Sequence, residues 1–174
     1  MIASVIETSG SAFRIRRASE ADAEEIAAIW QRIAAERIYS AIDEPWTVEQ
    51  ERSYLRLLSE REAIHVAIAE GRIIGFPRLD LWSPSIHSML HVGQLGTFLL
   101  PEWRRRGAGS ALFDATQAFA RDFAYSKFVI QVRASNPHAQ AFYQRLGFRH
   151  CGRLTRQVRI DGQEDDEILM EYFL

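Results

Sequence analysis

Between His91 and Phe148 the apolar residues change rhythm three times, and this constrains the fold more than any other feature of the chain. His91 to Leu100 alternates as a strand, interrupted by Gly96, where a glycine marks a bulge or a close backbone approach, and Pro101 ends it. From about Gly107, Leu112, Thr116, Phe119 and Phe123 recur at helical spacing, and Phe128, Ile130 and Val132 alternate again. Asn136-Pro137 then opens a second helix, with Asn as cap and Pro at the first helical position, and Gly147 closes it.

The flanking segments extend the same reading. Phe13 to Ala18 alternates as a strand, and Ser19 with Asp22 signals a helix running to about Glu36 along Ile26, Ile29, Trp30 and Ile33. A loop holding Asp43, Glu44, Pro45 and Trp46 leads to a helix over Val48 to Glu60, capped by Thr47. Strands Ile64 to Ala69 and Ile73 to Leu81 join through Glu70-Gly71-Arg72 as a hairpin, and Trp82 to Ser88 reads as loop. Two last strands, Arg149 to Ile160 and Asp166 to Phe173, meet at Asp161-Gly162, a dipeptide with a strong hairpin preference. The resulting order is β-α-α-β-β-β-α-β-α-β-β, a mixed α+β chain.

With 174 residues, 47% hydrophobic and 25% charged, the chain suits one domain, placed at 13–174, behind a Ser- and Gly-containing leader over 1–12 that is expected to fray. A net charge of -2 advertises no nucleic-acid or acidic-membrane partner, although Arg104, Arg105 and Arg106 concentrate positive charge locally. The lone cysteine, Cys151, rules out an intramolecular disulfide and a cysteine-built zinc site. No export signal is read at the start, and no apolar run approaches the roughly 20 residues of a membrane span, so the cytoplasm is the expected compartment.

The hexapeptide Arg104-Arg105-Arg106-Gly107-Ala108-Gly109 lies between a strand and an amphipathic helix, which places unpaired backbone amides, a helix dipole and cationic side chains at one point. Such a point attracts anions. Gly107 and Gly109 lack side chains that would hold a diphosphate away from those amides. By itself the motif is weak and reads first as a solvated charged loop with an ordinary glycine-rich helix start. It lacks the Lys-Ser/Thr ending of a triphosphate loop and the spacing of a dinucleotide fingerprint, no serine sits in a nucleophile elbow, and the five histidines form no helical metal pair.

Two runs taken together, Arg104-x-x-Gly107-x-Gly109 and Asn136-x-x-Ala139-x-x-x-Tyr143-x-x-x-Gly147-Phe148, resemble the GNAT acetyltransferases, as does the element order from end to end. The resemblance implies a central, mostly antiparallel sheet of about seven strands with about four helices, acetyl-CoA as donor and CoA as product. It implies that Arg104 to Ser110, Ala108 included, hold the CoA pyrophosphate, and that the backbone at Thr97, Phe98 and Leu99 pairs with pantetheine. By the same resemblance Asn136 holds the pantetheine arm, the Leu99 amide stabilises the oxyanion, and Tyr143 protonates the departing thiolate. On spacing alone Asn136 is equally a helix cap, and Tyr143, at the border of the stripe of Ala139, Phe142 and Leu146, reads first as a core aromatic.

A primary amine must lose a proton before it attacks, and the resemblance offers no base: at Gln94 related branches carry an acidic residue, and an amide cannot accept that proton. Asp43, Glu44, His87 and His91 are the candidates read from the sequence, with a water chain as their rival. The implied activity is acetyl transfer to a primary amine (an amino acid, a small amine toxin or antibiotic, or a protein N-terminus) by direct attack in a ternary complex without metal. Two other readings stand beside it: a catalytically silent CoA-binding sensor or interaction module, and a domain that binds another diphosphate. A homodimer fits the family, but no residue pattern specifies an interface.

Overall fold

The computed structural model describes residues 13–174, and the leader over 1–12 lies outside the described residues. Its strands are β1 (Arg14–Arg17), β2 (Ala63–Ala69), β3 (Arg72–Leu81), β4 (Val92–Leu99), β5 (Lys127–Arg133), β6 (Arg149–Ile160) and β7 (Gln163–Phe173). Between them run α1 (Ala23–Ala35), α2 (Val48–Leu57), α3 (Ala108–Asp122) and α4 (Pro137–Arg145). The strands form one seven-stranded sheet in the order β1-β2-β3-β4-β5-β7-β6, in which only β4 and β5 run parallel. The expected mixed α+β architecture and element order are those observed.

Local chemistry accounts for most joints. Both hairpin turns hold two residues at positive φ, Glu70 and Gly71 at 52° and 79° and Asp161 and Gly162 at 51° and 76°, the geometry that matches strand twist. Asn136 accepts the Ala139 amide at 3.0 Å, with Pro137 as the first helical residue, and Gly147 leaves the helix at φ 99°.

Several features differ from the sequence reading. Helix α2 stops at Leu57, because Leu58 turns extended (ψ 127°) and Glu62 then caps Ser59 through its amide and its hydroxyl. A short 3-10 turn, Glu20–Asp22, precedes α1, and another occupies His87–Met89 inside the expected loop. Strand β7 starts at Gln163, since a two-residue turn pairs Ile160 directly with Gln163. No bulge forms at Gly96; the β3–β4 register is continuous, and a β-carbon there would come within 2.9 Å of the Phe98 ring.

The two faces of the sheet differ. Beneath α1, Trp30 packs on Phe76 and Phe98, with ring centroids 5.3 and 4.1 Å away. On the opposite face, Phe113 of α3 and Tyr143 of α4 close over Phe128, Ile130, Val132, Ile168 and Met170. The strand alternation that buries those last residues turns Gln131, Arg133 and Glu167 to the α1 side.

Candidate active site

Strands β4 and β5 pair only from Val92 to Gln94 against Lys127 to Val129, and beyond that they part. A cleft of about 1120 Å³ occupies the opening. At the two ends of the β3–β4 ladder the Leu100 amide donates to the Ile74 carbonyl and the Trp82 amide to the Val92 carbonyl, so Gln94, Gly96 and Phe98 direct their backbone groups to β3. Leu95, Thr97 and Leu99 therefore direct theirs toward the opening. The Leu99 carbonyl accepts Arg104 Nε at 3.1 Å, which leaves the Leu99 N–H as the group presented to the cleft. Phe98, expected as a backbone partner, has its main chain engaged with β3 and lines the cleft with its ring.

At one end of the cleft, α3 follows Gly107 at φ 86°, a conformation glycine adopts without strain, and a β-carbon there would meet nothing within 4 Å. The first amide used by the helix is that of Ala111, bonded to the Gly107 carbonyl at 3.1 Å, so the amides of Ala108, Gly109 and Ser110 lack intrahelical acceptors. These groups suit a diphosphate. Gly109 is glycine for another reason: a β-carbon would stand 3.1 Å from the Phe142 ring, so its absence lets α4 approach α3.

The three arginines part company. Arg104 forms a two-pronged pair with Glu36 at 2.9 and 2.6 Å and lies 4.7 Å from the Tyr39 ring, so its charge is matched and it ties the segment after α1 to the loop. Arg106 turns away to Trp103, and Ala108 is buried in the core. Arg105 lines the cleft with His138 and Arg145, and among the described residues none of these three makes an ion pair.

Tyr143 is 5% exposed and lines the cleft floor beside Thr97. Burial raises its pKa, while the hydroxyl and backbone of Thr97 oppose that rise, so the phenol is neutral at physiological pH. Asn136 also lines the cleft; its side chain caps α4 and donates Nδ2 to the Tyr39 carbonyl at 3.4 Å.

Across the cleft, on the α1 side, polar groups from four strands stand in a row. Arg78 and Asp80 of β3 pair at 2.8 Å, the Tyr54 hydroxyl bonds Asp80, and the Arg78 guanidinium lies 3.9 Å from the Tyr54 ring and 4.8 Å from that of Trp46. Gln94 of β4 donates Nε2 to Gln131 Oε1 at 3.0 Å, and Gln131 of β5 donates Nε2 to Glu167 Oε2 at 2.9 Å. Glu167 of β7 is 7% exposed yet lines the cleft, and burial is the main cause that raises its pKa. Arg133, opposite it, holds Asp165 at 2.8 Å and the Arg37 carbonyl at 2.6 Å.

None of the four base candidates read from the sequence reaches this row. Asp43, Glu44, His87 and His91 are exposed and lie outside the cleft lining. Glu167 is not among the candidates read from the sequence; the alternation of β7, which buries Ile168 and Met170 on one face, places it on the other with Asp165 and Glu171.

A helix start with orphan amides, an open β4 edge and a buried phenol share one cleft, an arrangement that suits an acyl-CoA. The sequence profile of the acetyltransferase (GNAT) family matches residues 26–148, and the chain belongs to that family. It is an N-acetyltransferase with acetyl-CoA as acetyl donor. An uncharacterised N-acetyltransferase of Mycobacterium tuberculosis is 28% identical over 158 residues, covering 86% of this chain and 96% of that protein. An N-alpha-acetyltransferase of Sulfurisphaera tokodaii is 28% identical over 165 residues, covering 89% and 90%. A Salmonella typhimurium acetyltransferase solved with acetyl-CoA shares the fold, at a TM-score of 0.86 and 18% identity over 94% of this chain and 95% of that one.

Proposed function

We propose that the protein transfers the acetyl group to a primary amine of an amino acid, a small toxin or antibiotic, or a protein N-terminus, by direct attack in a ternary complex in the cytoplasm. One juxtaposition carries the reading: the backbone of Thr97 and Leu99 opens onto the same gap that the Tyr143 phenol lines, next to the N-terminus of α3. Bound acetyl-CoA supplies a thioester whose carbonyl carbon accepts the amine and whose sulfur departs.

The amides of Ala108, Gly109 and Ser110, with Arg105 beside them, hold the diphosphate through the helix dipole and direct hydrogen bonds. Thr97 pairs with the pantetheine amides as a strand would, and Asn136 orients the arm while capping α4. The Leu99 N–H faces the oxygen on which negative charge gathers, a donor already in place and therefore free of reorganisation cost. Tyr143, neutral at the start, gives its proton to the sulfur as the bond to carbon breaks.

Removing only the phenol hydroxyl tests this. In Tyr143→Phe, kcat with an accepted amine should fall by about 10²-fold or more while calorimetric affinity for acetyl-CoA stays within about threefold. Equal turnover in the variant would remove Tyr143 from the chemistry. Acetyl-CoA binding without turnover of any amine by the unmodified protein would support the silent module instead.

A further inference from the structure

The resemblance places an amide, Gln94, where a base is wanted, and the structure shows where that amide leads. Its hydrogen bonds cross from β4 to β5 to β7 and end on Glu167. The polarity of this chain is dictated by its last member. An ionised carboxylate can only accept, so Gln131 must present its NH₂ to Glu167, which turns its carbonyl back to Gln94 and obliges Gln94 to donate in turn. The Gln94 carbonyl is then left to receive an N–H.

Charge on this side of the cleft singles out the same group. Arg78 is matched by Asp80, and Arg133 by Asp165. Glu167 remains: among the described residues the hydrogen bond it accepts comes from Gln131, a neutral donor. The charged groups that face it are Arg133 from β5 and Asp165 from its own strand, acting in opposite senses.

We propose that Glu167 is the proton acceptor for the incoming amine, with Gln131 and Gln94 as positioning residues that aim the carboxylate and hold the amine nitrogen. This rests on the amine-transferase reading above. The ammonium gives one proton to Glu167, directly or through one water, and the nitrogen lone pair then forms the C–N bond. As the C–S bond breaks, the sulfur takes the Tyr143 proton, and the second proton leaving nitrogen restores the phenol. Glu167 returns its proton to solvent, so one ammonium and one thioester yield one amide, one thiol and one released proton.

Glu167→Gln is the test, since the isosteric amide can still accept the Gln131 bond and the fold should survive. The assay uses acetyl-CoA with a panel of an aminoglycoside, a polyamine, free amino acids and short peptides with unblocked α-amines. The unmodified protein should show kcat/KM rising with pH to a plateau. The variant should lose about 10²-fold at pH 7, with residual rate climbing until the amine itself deprotonates, and unchanged acetyl-CoA affinity and melting temperature.

A readout apart from activity is the carbon-13 titration of the Glu167 carboxyl, which should lie above the ordinary glutamate range. Gln131→Met removes a donor that favours the ionised form, so it should move this titration and the acid limb of the rate profile together to higher pH. An unchanged rate profile in Glu167→Gln, or a Glu167 carboxyl that titrates as an exposed glutamate, overturns the proposal alone. No turnover of any panel amine by the unmodified protein overturns the amine-acceptor reading and this proposal with it.

Discussion

The two sides of the cleft, proposed above to hold acetyl-CoA and the amine, are built on opposite plans. The donor side is nearly continuous in sequence, a loop and helix start over Arg104 to Ser110 with α4 beside it, and its cations Arg105 and Arg145 are unmatched among the described residues. The acceptor side draws one or two residues each from β3, β4, β5 and β7, and both its arginines are neutralised by neighbouring carboxylates. A polyanionic, invariant donor can be held by one charged helix terminus. An acceptor that must arrive cationic and react neutral needs a site of balanced charge with one carboxylate in reserve.

The sharpest way to break this contrast is Gly107→Glu. At φ 86° a non-glycine residue is strained by about 1–2 kcal/mol, and a carboxylate facing a diphosphate adds about 1 kcal/mol of repulsion. Calorimetry should show acetyl-CoA affinity falling about 30-fold or more, whereas Gln94→Ala should leave it unchanged. The reverse pattern would mean that the sides are wrongly assigned.

A second test probes the cost of charge beneath the acceptor side. Glu51 of α2 is 1% exposed, and burial lifts its pKa to about 7 against the pull of Arg78 and of Trp30. A carboxyl whose folded pKa lies above its unfolded value stabilises the fold fully below the unfolded pKa and loses that contribution as pH rises through the folded one. Melting temperature should therefore decline between about pH 4.5 and 7. Glu51→Gln should flatten that decline and gain about 1–2 kcal/mol at pH 8, read by denaturant melts.

The smallest effect separates structure from charge at the donor side. Arg104→Met strands Glu36 in a half-buried setting and should cost about 1–2 kcal/mol of stability. Its effect on acetyl-CoA affinity should be smaller than that of Gly107→Glu. If Arg104 instead lends its charge to the diphosphate, Glu36→Gln will tighten acetyl-CoA binding.

The donor side was the more legible because its information is local. Gly107, the cap at Asn136, the break at Pro101 and the spacing to Tyr143 each act within a few residues of themselves. Even there, contacts revised the reasons: Gly109 makes room for Phe142, and Arg104 belongs first to Glu36. The other side was less legible: Asp43, Glu44, His87 and His91 are conspicuous in the sequence but lie outside the cleft lining. Glu167 sits in a strand among Asp165, Asp166 and Ile168, and only the register that sets it opposite Arg133 separates it from its neighbours.

By itself the sequence determined the order of elements, the two-residue hairpins, the helix caps and the anion-seeking start of α3, because periodicity, φ preference and capping are settled by residues within a turn of one another. Tertiary structure alone decided that β4 and β5 part after Gln94, so that alternate amides of one strand face an open gap. It also decided that Gln94, Gln131 and Glu167, 37 and 36 residues apart in turn, share one face and one hydrogen-bonded line. Such a line depends on the register of three strands at once, which no local preference encodes.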